Sequence, residues 1–94
     1  MAKSVLQTDK ECWVCGTTYD LHDHHIIFGS RRKQSELYGL KVWLCAKHHN
    51  MSNEGVHHNR KLDLRLKRMA QEYYEEHCGT RGSWIEIFGK NYLD

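Results

Sequence analysis

Three histidines and an aspartate crowd into the stretch LHDHHIIFGS, residues 21–30, just before two isoleucines. A second histidine pair occupies positions 48 and 49. The chain also contains four cysteines, Cys12, Cys15, Cys45 and Cys78. Thiolates and imidazoles at close spacing are the side chains that proteins use to bind zinc and other transition metals. Metal binding is therefore the first chemistry that this sequence suggests.

Two short ligand pairs predict a zinc site. Cys12 and Cys15 form one C-x-x-C pair, and Cys45 and His48 have the same spacing. A helical turn that starts near Cys45 would present both of these side chains on one side. Because tetrahedral Zn²⁺ takes four thiolate or imidazole ligands, the two pairs together predict one structural zinc. The alternative is a redox pair at 12 and 15 with an ordinary buried cysteine at 45.

A second set of ligands follows from the direction of His49. Adjacent residues on a helix point about 100° apart, so His49 faces away from an ion bound by His48. Asn53 is four residues further along and lies on the same side as His49. These two side chains need a partner from elsewhere in the chain, and the surplus histidines His24 and His25 can supply it.

The ordered motifs C-x-x-C, DHHII and LC-x-x-HH resemble the HNH, or ββα-metal, endonuclease family in its zinc-stapled branch, and also short phage-encoded HNH proteins. The resemblance covers about residues 12–58. It implies two strands and a helix around one divalent cation, and hydrolysis of DNA phosphodiester bonds by an activated water. It also implies a phage or prophage origin. The cofactors would be a structural Zn²⁺ and a catalytic Mg²⁺, Mn²⁺ or other transition-metal ion, without a small-molecule cofactor.

The resemblance also implies roles for individual residues. His25, the second histidine of the HHI motif, would be the general base that takes a proton from water. His24, His49 and, as a weaker candidate, Asn53 would bind the catalytic cation. Asp23 would either support an imidazole through a contact or be a turn residue.

One position departs from the family pattern. Leu40 stands where family members have an asparagine that braces the loop and helps to hold the base. Either Gln34 or Ser35 takes over this bracing, or the activity is reduced. The departure supports a second hypothesis, in which the protein is a catalytically weak or inactive zinc-binding nucleic-acid-binding module with the same fold.

Basic residues mark the expected DNA contacts, although the formal net charge is only +2. Lys and Arg side chains neutralise phosphates without reading sequence. The predicted contacts are Arg31, Arg32, Lys33, Arg60 and Lys61. The alternative for Arg60 and Lys61 is that they lie on a solvated helix with ordinary i,i+4 ion pairs. RNA is a further candidate substrate, and cutting both strands of DNA would require a homodimer.

The predicted architecture is a single α+β domain over residues 1–94. Residues 1–10 are expected to be a loosely held tail, 12–58 the zinc knuckle and ββα-metal core, and 59–94 a C-terminal helical extension. Strands are predicted at 24–28 and 40–45, and helices at 30–39, 46–53, 59–77 and 83–89. Ser30 and Asn59 are candidate N-caps, and Gly39 is a candidate helix stop.

The remaining expectations concern location and two further histidines. No run of about 18 apolar residues and no export signal is present, which favours a cytoplasmic protein without a membrane partner. His57 and His58 either lie near the cation or reach toward a phosphate. Histidines without an assigned partner near a helix N-terminus are, however, more often plain surface residues.

Overall fold

The computed structural model describes residues 3–51 and 55–93. Within these ranges the protein is a small α+β fold, as predicted, with a two-stranded antiparallel sheet and helices packed around it. The elements in chain order are β1 Leu21–His25, a 3₁₀ turn Gly29–Arg31, α1 Arg32–Leu37, β2 Lys41–Cys45, a π-helical turn Lys47–Met51, α2 Arg60–His77 and α3 Arg81–Phe88.

The sheet divides the histidines of β1 between two faces. β1 pairs with β2 in a register that puts Asp23 opposite Trp43. Since successive side chains in a strand point to opposite faces, His22 and His24 share one face, and Asp23 and His25 share the other. This alternation determines which residues can meet in a site.

β1 lies three residues earlier than the predicted strand at 24–28 and ends at His25. After His25 the Ile26 N–H still donates to the Leu40 carbonyl at 3.1 Å, but the chain then bends, and the Ile27 N–H donates to the Ser35 hydroxyl at 3.3 Å. Ile26 and Ile27 are buried in the core. The apolar residues that suggested a strand therefore belong to the turn that follows it.

The connection from β1 to β2 is helical, as predicted, but it starts differently. The 3₁₀ turn begins at Gly29, before the expected cap Ser30, and the N-cap of α1 is Arg31, whose side chain makes no capping hydrogen bond. Gly39 has φ +69°, the left-handed conformation that commonly ends a helix. The predicted helix stop at Gly39 is confirmed.

The N-terminal segment is held more tightly than expected. The Val5 N–H donates to the Gly39 carbonyl at 3.0 Å, and Gln7 Oε1 accepts from the Trp43 N–H at 2.8 Å. These bonds occupy backbone groups at and just before β2 that would otherwise be open. The description of residues 1–10 as a loose tail is wrong for this part of the segment.

Two C-terminal helices close the core. Asn59 caps α2 by accepting a hydrogen bond from the Leu62 N–H at 3.2 Å, as predicted. Trp84 and Phe88 of α3 pack against Tyr74 of α2, with 5.5 Å between the Tyr74 and Trp84 ring centroids. Among the helices of residues 3–51 and 55–93, none has the length and apolar character needed to cross a membrane.

Candidate metal centres

The structure brings together the four side chains that were predicted to bind zinc. Cys12 and Cys15 lie on a tight turn, closed by a 2.8 Å bond from the Gly16 N–H to the Cys12 carbonyl. Cys45 is the last residue of β2, and His48 lies on the π-helical turn just after it. The three sulfurs and one ring nitrogen of this Cys3His cluster all lie within 4.8 Å of one another.

Three distances within the Cys3His cluster can be compared with those of a tetrahedral zinc site. With Zn–S bonds of about 2.3 Å and Zn–N bonds of about 2.0 Å, tetrahedral geometry separates two sulfurs by about 3.8 Å and a sulfur from a nitrogen by about 3.6 Å. The sulfurs of Cys15 and Cys45 are 3.8 Å apart. His48 Nδ1 lies 3.7 Å from the Cys12 sulfur and 3.2 Å from that of Cys45. The cluster is compatible with a structural zinc.

The thiols of this cluster differ in how readily they ionise. Burial disfavours the Cys12 thiolate, but backbone hydrogen bonds, first from Cys45 and then from Cys15 and Val14, outweigh it and lower the pKa of Cys12 to about 6. Burial raises the pKa of Cys45, and the neighbouring sulfurs of Cys12 and Cys15 raise it further. A bound cation would favour the thiolate form of all three.

A second cluster consists of three imidazoles, His24, His49 and His57, which we call the histidine triad. Their ring nitrogens also lie within 4.8 Å of one another. Each histidine comes from a different element: β1, the π-helical turn, and the segment before α2. Two backbone hydrogen bonds fasten that segment to the turn, from Val56 N–H to the His48 carbonyl and from His57 N–H to the His49 carbonyl.

The histidine triad contains an unsatisfied buried nitrogen. His24 is 2% exposed, and its Nε2 makes no hydrogen bond with any described residue. Burial, followed by the charges of His49, His57, His25 and Lys67, lowers the pKa of His24 to about 3, so the ring is neutral at physiological pH. A neutral imidazole with an unpaired buried nitrogen, beside two others, is a suitable ligand for a divalent cation.

His22 supports the histidine triad from the same face of β1. Its Nδ1 lies 2.8 Å from Nδ1 of His49, while Nε2 of His49 lies 3.3 Å from Nε2 of His57. One ring nitrogen of His49 therefore contacts His22 and the other faces the triad. Ligand histidines are commonly oriented in this way through their second nitrogen. Burial lowers the pKa of His49, and His57 and His22 lower it further.

The composition of the triad differs in part from the sequence prediction. His24 and His49 lie together, whereas Asn53 lies outside the described residues. His57 takes part, although its sequence position did not distinguish it from its neighbour His58. The only sequence signal was the further histidine pair at 57 and 58, just before the long helix.

His25 lies in a third group, on the opposite face of β1 from His24. Its Nε2 is 2.8 Å from Glu36 Oε1, and Lys41 Nζ lies 2.9 Å from the same oxygen and 3.2 Å from Asp23 Oδ2. Asp23 is thus a strand residue in an ion pair. The structure does not bring His25 into the histidine triad, and its role as general base stays a prediction.

The group around His25 borders an open cleft of about 690 Å³. The cleft is lined by Asp23, His25, Gly29, Ser30, Arg32, Lys33 and Glu36. Arg32 and Lys33 are exposed there. Arg31 is placed differently, because its guanidinium donates to the Ile87 carbonyl at 3.1 Å and so ties the loop to α3.

The other predicted phosphate contacts, Arg60 and Lys61, are exposed in the first turn of α2. This turn follows the segment that carries His57, so both cations are close in sequence to a triad residue.

Ser35 braces the loop that contains Leu40. Its hydroxyl donates to the Leu40 carbonyl at 2.6 Å and accepts from the Ile27 N–H. The other candidate, Gln34, has a buried Oε1 without a hydrogen-bond partner among the described residues. Leu40 itself is fully buried in the core. Of Gln34 and Ser35, Ser35 is the residue that holds the loop.

Comparison with protein-family models, curated proteins and solved structures finds no match to this chain. The class that the fold and clusters define is therefore a small α+β protein with one cluster compatible with structural zinc and a second cluster of three imidazoles.

Proposed function

We propose that the protein is a metal-dependent endonuclease of the HNH type that hydrolyses DNA phosphodiester bonds. The observation that carries the proposal is the histidine triad, in which ring nitrogens from three elements lie within 4.8 Å of one another, and in which the buried Nε2 of His24 has no hydrogen-bond partner among the described residues. Two antiparallel strands followed by a helical turn supply His24 and His49, which is the order that the HNH resemblance implies for the ligands of the catalytic cation.

The donor set favours a transition metal. The described triad offers three imidazoles and no carboxylate, and imidazole binds Zn²⁺, Ni²⁺, Cu²⁺ and iron better than Mg²⁺, which prefers oxygen ligands. A divalent cation bound there would supply charge stabilisation for the phosphate and the leaving oxygen. His24, His49 and His57 would hold it, and His22 would orient His49.

The other residues of the proposal bind DNA and move a proton. His25 takes a proton from the attacking water as the bond from water oxygen to phosphorus forms and the bond to the 3′ oxygen breaks. Arg32 and Lys33, in the cleft beside His25, contact the phosphate backbone.

A plasmid assay with matched histidine variants tests this proposal. Purified protein is incubated with supercoiled plasmid and Ni²⁺, Mn²⁺, Zn²⁺ or Mg²⁺, and nicked circles are quantified. His57→Ala removes an exposed member of the triad, while His58→Ala changes its exposed neighbour. We expect transition metals to activate the parent and His58→Ala, and His57→Ala to lose most nicking. Equal nicking by both variants would contradict a role for the triad.

The second candidate is a zinc-binding nucleic-acid module that lacks catalysis. Two observations favour it: Leu40 replaces the family asparagine, and His25 lies on the opposite face of β1 from the triad. The same assay distinguishes the two functions, because such a module would retard plasmid in a gel without nicking it under any cation. A labelled single-stranded RNA in a parallel reaction tests RNA as substrate.

A further inference from the structure

We propose that Glu36 is a positioning residue that fixes the ring of His25 so that its Nδ1 faces the substrate as the proton acceptor. The inference rests on the proposed nuclease function, since it concerns the base of that reaction. In HNH proteins an asparagine helps to hold the base, and this chain has Leu40 at that position. Glu36 would hold the base in its place.

The first support is the geometry of the contact between the two residues. Glu36 lies in α1 and His25 at the end of β1, eleven positions apart in the chain, yet Oε1 and Nε2 are 2.8 Å apart. The His25 side chain is 8% exposed and that of Glu36 is 29% exposed. The pair is therefore shielded enough to keep one geometry, while the cleft beside it stays open.

The second support is the chemistry of the two groups. An ionised carboxylate can only accept hydrogen bonds, so the proton of a neutral His25 ring must be on Nε2, where it donates to Glu36. The lone pair of the ring is then on Nδ1. Among the described residues, Glu36 is the one that forms a hydrogen bond with the His25 ring. Nδ1 is thus left available for a water molecule in the cleft.

The third support is the ion pair between Lys41 and Glu36. The Lys41 ammonium lies 2.9 Å and 3.2 Å from the two carboxylate oxygens of Glu36 and 3.2 Å from Asp23. Two carboxylates and one buried ammonium leave this group with a negative charge, and the cations Arg32 and Lys33 border the same cleft. Lys41 contacts both carboxylate oxygens of Glu36 and so helps to hold Oε1 against Nε2 of His25.

In the reaction, the proton of the attacking water moves to Nδ1 of His25 as the new oxygen–phosphorus bond forms and the 3′ oxygen leaves. The ring then carries protons on both nitrogens, and the Glu36 carboxylate stabilises that cation. The leaving 3′ oxygen takes a proton from solvent, and His25 returns its proton to solvent through the cleft. Nothing besides water and the phosphodiester is consumed.

The test measures the ring tautomer of His25 directly. Zinc-loaded protein with ¹⁵N-labelled histidine is examined by NMR, with His25 assigned from a His25→Gln spectrum. We expect the parent and Glu36→Gln to carry the proton on Nε2, because the amide oxygen of glutamine still accepts. Glu36→Ala should show a mixture of tautomers, and Glu86→Ala, at an exposed position of α3, should match the parent.

Nicking rates are measured on the same four proteins. We expect Glu36→Ala to lose roughly 10- to 100-fold, the range typical for residues that support catalytic ligands, and Glu36→Gln to lose less. The proposal would be overturned if the His25 ring of the parent carried its proton on Nδ1. It would also be overturned if Glu36→Ala left both the tautomer of His25 and the nicking rate unchanged. A protein that cleaves nothing but shows the Glu36-dependent tautomer would instead overturn the nuclease function and the catalytic meaning of the pair.

Discussion

His48 and His49 are neighbours in the chain, yet their imidazoles lie in different clusters. His48 Nδ1 is 3.2 Å from the Cys45 sulfur, and His49 Nδ1 is 2.8 Å from Nδ1 of His22. The π-helical turn at Lys47–Met51 turns the two rings in different directions. One short turn thus contributes one histidine to the Cys3His cluster and the next to the histidine triad.

Loss of one zinc ligand is expected to unfold the protein. Cys45→Ser removes a sulfur from the Cys3His cluster, and zinc binding at such sites is worth roughly 10–16 kcal/mol, as much as the net stability of a whole domain. We expect zinc content well below one ion per chain and no cooperative melt by circular dichroism. Cys78→Ser changes an exposed cysteine outside the cluster and should retain both. A folded, zinc-free Cys45→Ser protein would contradict a structural role for zinc in the Cys3His cluster.

The two adjacent histidines are expected to separate two binding events. His49→Ala should weaken binding of a second divalent ion, titrated as Co²⁺ by its visible absorption, while tightly bound zinc stays at one per chain. His48→Ala should instead reduce the tightly bound zinc, because it removes a ligand of the Cys3His cluster. If His49→Ala lost the tight zinc, the assignment of the two imidazoles would be reversed.

Acidification is expected to destabilise the fold through His24. The unfolded chain binds a proton there near the ordinary pKa of 6.5, whereas the folded protein does so only near 3. The stabilising contribution is therefore complete above pH 6.5 and decreases as the pH falls from 6.5 toward 3. Between pH 6.5 and 5 the loss is about 2 kcal/mol.

Urea unfolding of the parent and of His24→Gln at several pH values measures this effect. The variant cannot titrate at this position, so its stability should fall less steeply with acid, while loss of zinc affects both proteins alike. Parallel pH profiles for the two proteins would show that His24 does not carry the effect.

Ser35 is expected to stabilise the loop that carries Leu40. Ser35→Ala leaves the buried Ile27 N–H without its acceptor and removes one of the two donors to the Leu40 carbonyl, which keeps the Ile26 N–H. An unsatisfied buried donor costs about 1–3 kcal/mol. The urea midpoint measures this loss. Ser30→Ala, at an exposed position, should change the midpoint little, and an equal effect from both would argue against a specific brace.

Features that depend on neighbours in the chain could be read from the sequence. The Cys12–Cys15 and Cys45–His48 pairs have their geometry set by short turns, and the periodicity and N-cap at Asn59 predicted α2. The strand predicted at 24–28 was misplaced, because Ile26 and Ile27 have the composition of strand residues although the chain bends there and the Ile27 N–H donates to Ser35.

What the sequence by itself determined is therefore the ligand pairs, the helices and the divergence of His48 from His49, since rotation per residue settles these locally. The tertiary structure decided that His57 joins His24 and His49, and that His25 pairs with Glu36. Both contacts depend on how the segment before α2 and helix α1 pack against opposite faces of β1. No spacing within a single element encodes that packing, because it arises from the burial of side chains far apart in the chain.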